Sequence, residues 1–150
     1  MNDILITHAT VITVDSFNRI LRDAAIAIRG REIVAIGPTD AVSAKHPVRE
    51  VIDTRGMVAL PGLVNGHIHM LTALYKGTMC GFGFEKTAGE DMTMCAHATP
   101  SFMLAASQLS AVEMLRSGIT LANVAGDAIA FEIARQPAEA LGQAGMKAFV

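Results

Sequence analysis

Tryptophan is absent from this sequence, tyrosine occurs once, and all aromatic residues together make up 5%. A surface that stacks nucleic-acid bases on aromatic rings is therefore not expected. Excess positive charge is missing too: twelve Lys and Arg stand against fourteen Asp and Glu, a formal net charge of −2. That balance supplies no field for nucleic acid or an anionic membrane surface. No apolar run approaches the ~20 residues that span a bilayer. The start, Met1-Asn2-Asp3-Ile4, lacks the positive flank and long apolar stretch of a secretory signal. Cysteine appears only at Cys80 and Cys95, and a pair in such a chain is expected to stay reduced. The expectation is a cytoplasmic protein with neither nucleic acid nor membrane as partner.

What the chain does have is apolar substance: hydrophobic residues make up 51% of 150 positions and charged ones 17%. That excludes disorder, which needs the opposite balance. Residues 1–60 read as short strands and turns. Ile4-Leu5-Ile6 and Val11-Ile12-Thr13-Val14 are separated by Thr7-His8-Ala9-Thr10. Ala25 to Arg29 and Glu32 to Ile36 form a hairpin about Gly30-Arg31, stopped by Gly37-Pro38. A polar segment with Pro47 leads to Val48–Ile52, and Asp53-Thr54-Arg55-Gly56 turns into Met57–Leu60. Six such strands suggest a small β-sandwich or open barrel. His8 and His46 in this portion are expected to face solvent.

The pattern changes at Pro61-Gly62. Leu63-Val64-Asn65-Gly66-His67-Ile68-His69 starts apolar and ends polar, which suits a buried strand opening onto a site. Residues 77–98, with four glycines and Met79, Met92 and Met94, read as a long loop with one helical turn at most. Thr99-Pro100 is a helix start, with Thr99 as N-cap and proline at the first position. Phe102, Leu104 or Ala105, Leu109, Val112 and Leu115 supply the apolar face, and Gly118 closes the helix. A strand over Ile119–Val124 follows, then a helix from about Ala128 to Ala144 that Pro137 kinks or breaks. After Gly145, Lys147–Val150 begins another strand. Strand, helix, strand, helix, strand is the rhythm of a parallel α/β structure. The division expected is a β-sandwich portion over 1–60 and a β/α portion over 61–150. Ending on a strand suggests a truncated chain or one piece of a split protein.

Residues i and i+2 of a strand point to one face, so His67 and His69 project together, with Ile68 behind them. Two imidazoles side by side are natural ligands for zinc or another divalent first-row metal. The ends of strands in parallel α/β barrels are where reactive groups sit.

Leu60-Pro61-Gly62-Leu63-Val64-Asn65-Gly66-His67-Ile68-His69 resembles the Pro-Gly-(Phe/Leu)-(Ile/Val)-(Asn/Asp)-x-His-x-His signature of the amidohydrolase superfamily. Upstream, AIAIRGREIVAIGP and VIDTRGMVALPG resemble that family's sandwich strands. Downstream, SAVEMLRSGIT resembles the first barrel helix running into the second strand. Among subgroups the chain is most similar to the cytosine, guanine, triazine and adenosyl-derivative deaminases and dechlorinases. The resemblance implies a small β-sandwich joined to a (β/α)8 barrel, of which this chain carries the first units. It implies a divalent metal, zinc first and iron second, with His67 and His69 as its first two ligands. It further implies hydrolysis of a C–N bond (or C–Cl) by metal-activated water, with deamination of a nitrogen heterocycle as the reaction expected. The later ligands, on strands five, six and eight, and the proton-shuttling acid match no residue here. The family often has threonine between the histidines and a small or polar residue before them, where this chain has Ile68 and Gly66.

A full barrel takes roughly 250 residues. The chemistry therefore needs the remainder of the barrel, in another chain or lost, and a homo-oligomer is expected of the intact protein. The other reading is a non-catalytic fragment or interaction protein that keeps the sandwich and the first barrel units. Further candidates each carry a plain alternative. Tyr75 and Lys76 either contact a small-molecule substrate or are rim residues. The three methionines either line a pocket or fill gaps. Cys95-x-His97 lacks the second pair that a four-ligand site needs. Asn123 and Asp127 flank the end of the second strand, where Asp127 equally suits a helix cap.

Overall fold

The computed structural model describes residues 3–78, 80–126 and 131–150. Met79 and Asp127 lie outside them. The chain divides into two compact units, Met1–Pro61 and Gly62–Val150.

The first unit is built on a five-stranded sheet. Strands β1 (Asp3–Ile12), β2 (Ile20–Arg29) and β3 (Glu32–Pro38) pair antiparallel in sequence. Strands β4 (Glu50–Asp53) and β5 (Val58–Ala59) both lie parallel to β1, along its first and second halves. The two strands expected at 4–6 and 11–14 are thus one, and the interruption between them is a bulge. Ile6 pairs with Ile26 but Ala9 with Ala24, and Val11 then with Leu21. Each strand carries one extra residue in turn, and each uses a left-handed position to do so: His8 at φ 61° and Asp23 at φ 49°. A shift of one residue moves every later side chain to the opposite face. Leu5 therefore packs with Ala25, Ala27 and Val42, while Ala9 and Val11 pack with Ala24 and Ile26.

Helix α1 (Thr39–Lys45) occupies the polar stretch before Pro47 and buries Val42 against the sheet. The described residues of this unit form one sheet with that helix, and a second sheet of a sandwich is not among them. His8 is half-buried rather than exposed, and His46 is half-buried beside Pro47. Both lose solvent because they sit where the sheet bulges or the chain turns back upon it.

The second unit is a parallel three-stranded sheet in the order β6 (Leu63–Ile68), β7 (Ile119–Val124), β8 (Lys147–Phe149). A 3₁₀ helix (Met70–Tyr75) and helices α2 (Phe84–His97), α3 (Pro100–Arg116) and α4 (Phe131–Gln143) connect the strands. Helix α2 runs where a loop was expected. Gly89 lies inside it, and its only early acidic signal is Glu85. Helix α3 begins as read, with Thr99 Oγ1 accepting from Phe102 N at 3.2 Å and Pro100 in the first turn.

Its buried face, however, is Met103, Ala106, Ser107, Ser110, Ala111 and Met114, and not the bulky set. Phe102, Leu109, Val112 and Leu115 are exposed. The helix is apolar nearly all round, so periodicity could not select a side. Small residues prevail where α3 lies against the sheet and α4 at close range. Pro137 stays within α4. The core of this unit is Met70, Ala111, Met114, Ala122, Leu141 and Met146. Strand β6 is not buried as expected: Leu63 is 49% and Val64 64% exposed, since among the described residues it is an edge strand paired only with β7. Among the described residues no helix is long and apolar enough to cross a membrane.

Candidate metal centre

Gly62 opens β6 at a close approach: a Cβ there would stand 2.8 Å from Thr120 Cβ on β7. Leu63 N donates to Gly118 O at 2.9 Å, and Gly118 takes the left-handed turn (φ 78°) that ends α3. The strand is thereby seated beside β7 before it reaches its polar end. Ile68 turns inward and packs on the core cluster. His67, exposed, and His69, half-buried, point to the other side.

Their Nε2 atoms are 3.1 Å apart, with ring centroids at 4.9 Å and planes at 74°. Two imidazole nitrogens this close repel lone pair to lone pair unless a proton or a cation lies between them. Zinc–imidazole bonds are about 2.0–2.1 Å long. Two nitrogens 3.1 Å apart at that bond length subtend roughly 98° at a shared ion, near the tetrahedral angle of about 109°. The residues therefore fit a divalent metal. Among the described residues, no group of three His, Cys, Asp or Glu comes together as a metal site.

The remaining candidates fall elsewhere. Tyr75 is 8% exposed and packs with Leu71, Cys95 and Met103. Lys76 is exposed and ion-paired with Glu113 of α3. Cys95 points into that cluster, while His97 faces out and bonds through Nδ1 to Thr93 O at 2.8 Å, one helical turn back. Cys95-x-His97 is thus split between inside and outside. Cys80, by contrast, is exposed. Met94 packs against the same cluster and Met92 is exposed.

One polar cluster escaped the sequence reading. His8 Nδ1 lies 2.8 Å from Asp23 Oδ1, and His8 Nε2 lies 3.2 Å from Arg55 Nη2. Thr39 Oγ1 donates to the same carboxylate at 3.1 Å. The His8 hydrogen bond, then that of Thr39, holds the Asp23 carboxyl below the usual range. No spacing rule could have found it, since the bulge brings these residues together. Asn123, at the end of the second strand of this sheet, donates from Nδ2 to Gly66 O at 3.1 Å.

A parallel β/α unit with paired imidazoles at the end of its first strand belongs to a known class. The chain is a member of the amidohydrolase family, whose model matches residues 58–149. It is 32% identical over 149 residues to a 5-methylthioadenosine/S-adenosylhomocysteine deaminase of Syntrophobacter fumaroxidans, covering 99% of this chain and 33% of that protein. A deaminase of the same name from Nitratidesulfovibrio vulgaris is 31% identical over 122 residues, covering 81% and 28%. Among solved structures, an adenosine deaminase from Xanthomonas campestris with bound zinc superposes with a TM-score of 0.88 at 26% identity, covering 99% of this chain and 33% of that one. An atrazine chlorohydrolase variant from Arthrobacter aurescens, complexed with zinc and atraton, gives 0.84 at 29%, covering 97% and 34%. The chain spans about a third of the length of the curated relatives it matches.

Proposed function

We propose that His67 and His69 are the first two ligands of a divalent metal, zinc before iron, in a hydrolase that deaminates a small nitrogen heterocycle. The 3.1 Å separation of their Nε2 atoms carries the reading. Support comes from the deaminase names of the relatives and from the zinc in two structural neighbours. Bound there, a divalent ion supplies hydroxide at neutral pH by lowering the pKa of a water toward about 7.

The chain's own part is to hold and to orient. Neutral imidazoles bind a cation without cancelling its charge. Ile68, anchored in the core, fixes the backbone between them. Their exposed face gives a small molecule access. The further ligands and the proton-shuttling acid are assigned to residues beyond these 150, in keeping with the third of the relatives' length covered here. For Tyr75 and Lys76, burial of the ring and pairing of the ammonium favour the reading as rim residues.

Zinc titration against a chelating dye tests this. Binding should weaken by more than about 100-fold in His67→Ala and in His69→Ala, beyond the 10- to 100-fold typical of outer partners. Affinity unchanged in both variants overturns the proposal. A second reading, a scaffold without chemistry, draws on the lack of a third ligand among the described residues. It requires wild-type protein that binds no zinc.

A further inference from the structure

Along the pairing of β6 with β7, one residue is in excess beside the imidazoles. Asn65 pairs with Ala122 and Ile68 with Val124. Gly66 and His67 therefore stand together opposite Asn123 alone. A bulge leaves backbone groups without ladder partners, and such groups need others. Two side-chain amides supply them here. Asn65 Oδ1 accepts from His67 N at 3.2 Å, and Asn123 Nδ2 donates to Gly66 O at 3.1 Å. Beyond the bulge, Ala125 N donates to Ile68 O at 2.9 Å and the ladder resumes.

Packing holds the far end of the bulge, through Ile68, but not Gly66. A Cβ built on Gly66 meets nothing within 4 Å, and glycine brings the widest backbone freedom of any residue. The peptide that sets the direction of the His67 side chain is thus restrained by polar contacts. Asn65 binds it from within its own strand. Asn123 binds it from the neighbouring strand, whose next residue inward, Ala122, is fully buried in the core.

We infer that Asn123 is a positioning residue for the imidazole pair: its amide clamps the Gly66 peptide and so sets the distance between the His67 and His69 nitrogens. Metal ligands must stand within about 0.2 Å of their places, so a loosened bulge reads out as lost affinity rather than lost fold. This inference rests on the metal reading above.

Copper(II), which favours imidazole nitrogen, is the probe. Titration of the purified protein gives affinity, and electron paramagnetic resonance counts the coupled imidazole nitrogens. Asn123→Asp keeps the shape but sets a carboxylate oxygen against the Gly66 carbonyl; Asn123→Leu removes the donor outright. Both should bind copper about tenfold more weakly and show coupling to one nitrogen where wild type shows two. Circular dichroism and melting temperature should stay at wild-type values, since Asn123 is exposed. Should Asn123→Leu unfold, the isosteric Asn123→Asp decides. Wild-type affinity and a two-nitrogen signal in Asn123→Asp overturn the inference. His67→Ala, run alongside, separates the two failures. If it too binds copper as wild type does, the metal reading falls; if it alone loses copper, only the clamp falls.

Discussion

Asp23 sits at a left-handed position, φ 49°, with its carboxylate between His8 and Thr39. These hydrogen bonds favour the ionised form, and the folded protein holds the group below its ordinary range. A carboxylate lowered in this way contributes stability that is fully present above the unfolded value, about 4. The contribution is lost as pH falls through the lower folded value. Asp15 behaves alike: the hydrogen bond from Arg19 brings it down to about 2. Asn tolerates left-handed backbone, so Asp23→Asn should keep the bulge while removing one acid-sensitive group. Its melting temperature should fall less steeply than that of wild type between about pH 5 and 2. Parallel curves for the two proteins would remove Asp23 from the account of acid unfolding.

Between elements, the tightest requirement lies where β6 starts beside β7. An alanine Cβ at Gly62 would come 2.8 Å from Thr120 Cβ, and rotating the threonine does not move that atom. Gly62→Ala should cost about 1–3 kcal/mol in denaturant unfolding, partly recovered by adding Thr120→Gly; a neutral Gly62→Ala would show that the strands part freely. Features of this local kind were legible in the sequence. Thr99-Pro100, Gly118, Gly145 and the hairpin at Gly30 each announce a boundary by their own backbone chemistry, and the paired histidines by strand alternation. What was not legible depends on partners distant in sequence. The buried side of α3 is hidden in the sequence because large apolar residues lie on its outer faces too. Helix α2 was missed because Gly89 and weak apolar periodicity mask it. His8 and Asp23 required the reciprocal bulges, and the Asn123 contact required the extra residue at Gly66–His67.

For the molecule as a whole, exposed apolar surface is the prominent feature. Leu63, Val64 and Phe149 lie open on the second sheet, and Ile33, Ile36, Val51 and Ile52 on the first. Apolar surface on that scale marks a contact area or an association hazard. The 150-residue chain should therefore self-associate with rising concentration in sedimentation experiments and bind a hydrophobic dye; a dye-silent monomer at every concentration would contradict this. The order β6, β7, β8 in space repeats the order in the chain. During synthesis, each strand of this sheet thus emerges next to one already made, and no later strand must be threaded between two earlier ones. The histidines come out first, and the asparagine that reaches Gly66 lies 57 residues beyond that glycine. Within this sheet, the contact between Asn123 and Gly66 needs only the first two strands, and the third adds nothing to it.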